Sequence, residues 1–85
     1  MATKTLQKLR SICDKYNIEM DARKCPMWGE WIIEFIAPKG MFWNATDGIH
    51  SCFRDHTLKH AVWFLKEDLK CGFRTIDREE HWGQQ

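Results

Sequence analysis

Residues 30–45 read EWIIEFIAPKGMFWNA, and the interpretation of this stretch decides the fold. Trp31, Ile32, Ile33, Phe35 and Ile36 are β-branched or aromatic, the residue types that suit a pleated, half-buried surface. Pro38, Lys39 and Gly40 then form a β-turn, with proline fixing φ at its second position. MFWNA (41–45) reads as the return strand of a hairpin. Thr46, Asp47 and Gly48 mark another turn. IHSCF (49–53) either continues that strand past a bulge or forms a short fourth one.

Upstream, IEMDAR (18–23) alternates Ile18, Met20 and Ala22 with Glu19, Asp21 and Arg23, the period of a strand with one wet face. Pro26 and Gly29 bracket a turn that holds Met27 and Trp28. Before it, residues 4–16 are expected to be helical. Leu6, Leu9, Cys13 and Tyr16 recur at helical spacing, Thr3 or Thr5 is placed to cap the start, and Asn17 suits a left-handed stop. Downstream, residues 55–71 (DHTLKHAVWFLKEDLKC) form a second helix, capped by Asp55 or Thr57 and stopped by Gly72. The order is α-β-β-β-α, an α+β fold: an antiparallel three- or four-stranded meander with two helices packed on one face. Residues 1–72 make a single domain. Residues 73–85 are a tail, partly mobile, with Trp82 able to pin it.

Composition limits the function. The 85 residues carry a net charge of +1, so the basic excess of a dedicated nucleic-acid binder is absent. Residues 1–25 hold six Lys/Arg against three acids, so charge is patterned locally. Five Trp and five Phe are many for this length, and each buries about 150–250 Å². So small an interior cannot hide them all, which leaves aromatic surface for contact with something else.

On a helical wheel, Leu58, Ala61, Val62, Leu65 and Leu69 form the core stripe of the second helix. His56, Lys59, Trp63, Lys66 and Lys70 share the opposite face. Trp63, an indole among lysines and turned from the core, marks one candidate contact surface. A bland alternative is a solvated face whose lysine stems lie over the ring. The open face of the sheet gives a second candidate. If Trp31, Ile33, Phe35 and Ala37 point inward, then Glu30, Ile32, Glu34 and Ile36 point outward, and Ile32 and Ile36 beside an aromatic of the next strand make an apolar patch rimmed by glutamates. That patch is either a partner surface or a face covered by the tail, by the Met27-Trp28 loop or by a second subunit.

Other chemistries find weaker support. The four cysteines show no CxxC pairing, and MATKTLQKLR lacks the apolar core of a signal peptide, so reduced thiols in a cytoplasmic protein are expected, with Cys13 a small core residue. WIIEFIA is too short to span a bilayer. His50, Cys52, His56 and His60 carry the right atoms for zinc, but strand and helix periodicity aim them apart, so no metal or other cofactor is expected. No glycine-rich loop cradles phosphate and no nucleophile elbow is present. Glu30 and Glu34 on one strand lie roughly 10 Å or more apart. No enzymatic activity is expected.

Two resemblances add to this. The α-β-β-β-α order with a basic last helix is similar to the double-stranded-RNA-binding domain, which implies phosphate contacts from the start of that helix. Residues 55–60 here read DHTLKH, with one lysine, and residues 25–30 read CPMWGE, unlike that family's loop, so its residues do not carry over. EWIIEFIAPKGMFWNATDGIHS (30–51), where an aromatic strand meets APKG and then Thr46-x-Gly48-x-His50-Ser51, resembles short orphan proteins of bacteriophages and prophages. Their size and style, shared with anti-CRISPR proteins, imply a stoichiometric inhibitor of host defence bound to a host protein or ribonucleoprotein complex. Nucleic-acid binding through the second helix, and dimerisation through the open sheet face of an otherwise monomeric protein, are the alternatives.

Overall fold

The computed structural model describes residues 2–76, with side chains from residue 4 onward. In chain order the elements are α1 (Ala2–Tyr16), β1 (Glu19–Lys24), β2 (Trp31–Ile36), β3 (Met41–Trp43), β4 (His50–Asp55), α2 (Ala61–Cys71) and β5 (Phe73–Thr75). The fold is α+β. Strands β1, β2 and β4 form an antiparallel sheet in the order β1-β2-β4, and β3 pairs with β5 in a second, two-stranded sheet.

The register explains the faces. Ile33 lies opposite Ala22 and Phe53, and Phe35 opposite Met20 and Ser51. Directly opposed residues share a face, so this row points one way. Both helices cover it: Leu9 and Cys13 of α1 and Ala61 and Leu65 of α2 are buried in one core with Ile33, Phe35, Ala37 and Phe53. Phe64 adds ring contacts to Phe53 at 5.4 Å and to Phe35 at 6.2 Å. The inward set expected from sequence is therefore the buried one, with Trp31 only half-covered.

Helix α1 begins at Ala2, which puts Thr3 and Thr5 inside the helix and not at its cap. Its end is a Schellman motif. Asn17 takes φ 60, the Ile18 N–H donates to the Cys13 carbonyl (2.8 Å), and the Asn17 N–H to that of Asp14 (3.4 Å).

The hairpin expected between β2 and β3 does not form. The turn closes, with the Met41 N–H donating to the Pro38 carbonyl (3.0 Å) and Gly40 at φ 82. Both edges of β2 are already occupied, by β1 and by β4, so β3 must find another partner. It leaves the sheet and pairs with β5, placing Phe73 opposite Trp43. Residues 73–75 thus belong to the fold, which extends past Gly72. Residues 49–53 do not prolong β3; His50 begins a separate strand. Residues 77–85 of the expected tail, Trp82 among them, lie outside the described residues.

Helix α2 is shorter than its periodicity suggests. It starts at Ala61, with His60 as an N-cap that makes no side-chain bond. Asp55 and Thr57 shape a loop instead. The Asp55 carboxylate accepts the His56 N–H (2.7 Å), and the Thr57 hydroxyl accepts the Lys59 N–H (3.4 Å). Such local bonds compete with helix formation. Leu58 is still buried, from the loop. Gly72 ends α2 at φ 77, as expected.

Two ends of the sheet follow from this topology. Trp31 faces Lys24 on one side and Asp55 on the other, so the β1–β2 connection and the β4–α2 loop leave from the same end, the hairpin end. Both helices begin there, because α1 joins β1 through a two-residue turn at the other end and α2 runs back from the 56–60 loop. The opposite, clasp end holds β3, β5 and the C-terminus of α2.

Candidate interaction surface

The hairpin end carries the most exposed large apolar side chains of the described residues. Met27 is 79% exposed, Trp28 67% and Trp63 63%. Met27 and Trp28 form the tip of the β1–β2 connection. The Gly29 N–H donates to the Cys25 carbonyl (2.8 Å) and the Cys25 N–H to that of Glu30 (2.7 Å), with Gly29 at φ 70. That backbone lock holds the two side chains out in water. Trp63 stands in the first turn of α2, on the outward face expected from the wheel, and with His60 it lines an open depression. Met27 and Trp28 do not fold over the sheet. The sequence offered one clue to them: a tight turn between Pro26 and Gly29 leaves no chain length for its apolar residues to reach their own core.

Around these residues the cations are largely without acidic partners. Lys59 and Lys66 are exposed and make no ion pair among the described residues. Lys24 sits over the Trp31 ring, 5.7 Å from its centroid. The nearby acids are engaged: Glu30 meets Arg54 at 3.3 Å, and Asp55 holds the His56 N–H. Lys70 differs, because Glu67 one turn earlier bonds it at 2.7 Å and that bond pushes the ammonium pKa up.

The outer sheet face is not the apolar patch that sequence suggested. β3 has left the sheet, so no aromatic strand stands beside Ile32 and Ile36. Each is half-buried and flanked by polar residues: Ile32 by Arg23 and Arg54, Ile36 by Glu19 and His50. Glu34 separates them and takes Arg23 at 3.5 Å and His50 at 3.3 Å. Exposed pairs of this kind contribute little stability, about 0–1 kcal/mol each. They do make the face polar, which weakens the case for Ile32, Glu34 and Ile36 as a docking site or a dimer face.

The four zinc-ligand candidates scatter. His50 and Cys52 lie on the outer face of β4, and His56 and His60 are in the loop, not on a helix face. Among the described residues, no three His, Cys, Asp or Glu side chains gather closely enough to hold a metal ion. All four cysteines are free thiols. Burial pushes the Cys13 thiol up to about 11, helped by neighbouring Asp14. None of the helices described is long and apolar enough to cross a membrane. Comparison with family models, curated proteins and solved structures found no match to this chain.

Proposed function

We propose that this chain is a small binding protein without catalytic chemistry, acting by stoichiometric occupation of a surface on a larger protein. One observation carries the reading: Met27, Trp28 and Trp63, brought from two separate segments to one end of the sheet, are all exposed. Tryptophan and methionine are enriched in the buried centres of interfaces, and tryptophan often dominates binding energy there. The locked turn under Met27 and Trp28 limits the ordering that binding would otherwise require. The carboxylates Glu30 and Glu34 are tied in ion pairs, and among the described residues the one large titration shift belongs to Cys13 in the core. Neither arrangement favours proton transfer to a substrate. The likeness of residues 30–51 to small phage proteins turns the search towards a cytoplasmic host protein or ribonucleoprotein complex, with inhibition of host defence as the mode of action.

The test is affinity capture from bacterial lysate with the wild-type chain and with the double variant Trp28→Ala/Trp63→Ala. A protein retained at one-to-one stoichiometry by the wild type should be lost by a folded double variant. Equal retention by both would sink the reading. Nucleic-acid binding is the second reading, because Lys59 and Lys66 flank Trp63. It requires affinity that falls steeply with salt.

A further inference from the structure

The proposed contact surface also has a charge, and the charge selects a partner. We infer that the hairpin end docks on an acidic protein surface with an apolar centre, a deepening that rests on the binding reading above. The inference comes from the balance of charges around the exposed apolar residues. Lys24, Lys59 and Lys66 are exposed and free of ion pairs among the described residues. The first turn of neither helix contains an acid, and both helices begin at this end. Of the nearby acids, Glu30 is paired with Arg54; Asp55 keeps its charge while accepting the His56 N–H, and by itself it cannot balance Lys24, Lys59 and Lys66. Unpaired lysines at the end of the sheet that also bears Met27, Trp28 and Trp63 complement carboxylates beside an apolar patch, and such complementarity sets orientation and excludes like-charged partners.

Polynucleotide fits less well. Three of the four arginines described, the better bidentate ligands for phosphate, are occupied: Arg23 by Asp21 and Glu34, Arg54 by Glu30, Arg74 by Asp47; Arg10, midway along α1, makes no ion pair among the described residues. On the adjoining outer sheet face, Arg23 and Arg54 both meet carboxylates and Glu19 is exposed, so that face offers no unpaired lysine or arginine among the described residues to a polyanion extending past the end of the molecule. Met27, the most exposed of the three apolar residues, is suited to an irregular apolar pocket.

The experiment titrates the chain with three probes: an acidic amphipathic peptide of alternating Asp/Glu and Leu/Phe, the same peptide with every acid replaced by Lys, and single-stranded oligothymidylate. Tryptophan emission and calorimetry report binding. The acidic peptide should bind at least tenfold more tightly than either other probe and shift the emission to the blue as indole leaves water. Trp28→Ala/Trp63→Ala should abolish that binding. Lys59→Glu/Lys66→Glu should reverse the preference towards the lysine peptide, and both substitutions lie at exposed positions where the circular-dichroism spectrum and melting point can be checked for an intact fold. Equal, tryptophan-dependent binding of the two peptides would overturn the acidic specificity while leaving the contact surface standing. Tightest binding of the oligonucleotide, binding indifferent to both double variants, or no binding of the acidic peptide would overturn the inference.

Discussion

The clasp end and the hairpin end of the sheet hold comparable parts, namely a tryptophan, a glycine-bearing turn and a helix terminus, yet they resolve them in opposite ways. At the clasp end Trp43 is fully buried, donates its indole N–H to the Phe35 carbonyl (3.0 Å) and meets the Phe73 ring at 4.5 Å. The Asn44 side-chain amide bonds the Cys71 carbonyl (2.7 Å), and the Asn44 N–H that of Gly72 (3.1 Å), satisfying carbonyls that the end of α2 leaves open. Ser51 donates to Asp68, tying β4 to α2. At the hairpin end the helix start has no side-chain cap, and Trp28 and Trp63 face water. One end spends its aromatic surface on folding. The other leaves it available for contact.

Variants can break or sharpen this contrast. The largest effect is expected from Trp43→Ala, which empties the joint between the two sheets and removes the indole bond to the Phe35 carbonyl. A loss of about 3–5 kcal/mol follows from the cavity it leaves, read as a collapse of the denaturant midpoint. A small change would mean that the clasp does not hold the fold.

Alkaline titration tests the core between the two ends. The Cys13 thiol is raised from 9.0 to about 11 by burial, so the folded state holds its proton more tightly than the unfolded state. Its contribution to stability is full below pH 9 and is lost as pH rises from 9 towards 11. Cys13→Ala should flatten that part of the stability profile, and an unchanged profile would place the alkaline loss elsewhere. Asn44→Ala, which unbinds the Cys71 carbonyl, should cost about 0.5–1.5 kcal/mol, measured as a fall in melting temperature with the helix signal retained. The smallest effect is expected from Trp28→Ala/Trp63→Ala: about 0.5 kcal/mol or less, as for surface positions generally, together with lost partner binding. A destabilisation of several kcal/mol would return these indoles to the core and erase the comparison.

Much of the fold was legible in local pattern. The alternation in Trp31–Ile36 named the buried face correctly because side-chain direction on a strand has a period of two wherever the strand pairs. The wheel placed Trp63 outside because Leu65 and Ala61 could only share the opposite face. The β3–β5 pairing was not legible. A Pro-Gly turn between two apolar runs reads as a hairpin, and nothing local states that β2 will give both its edges to strands from elsewhere in the chain. The start of α2 was missed for a different reason: Leu58 fits the helical stripe, but Asp55 and Thr57 bond the loop backbone instead.

For the candidate site, sequence supplied Trp63 and its lysines but not Met27 and Trp28, whose position relative to α2 depends on register across three strands. It also overstated the Ile32–Ile36 face, since the cross-strand arginines and histidine that separate the isoleucines come from β1 and β4.

The sequence by itself determined the two helices and the first three strands in outline, the buried side of the central strand and the surplus of aromatic surface, because these depend on residue type and on spacing within a few turns or pleats. Only the tertiary structure decided where that surplus went. Strand pairing is a competition among distant segments for a limited number of edges, and its outcome buried Trp43 at one end and left Trp28 and Trp63 in water at the other.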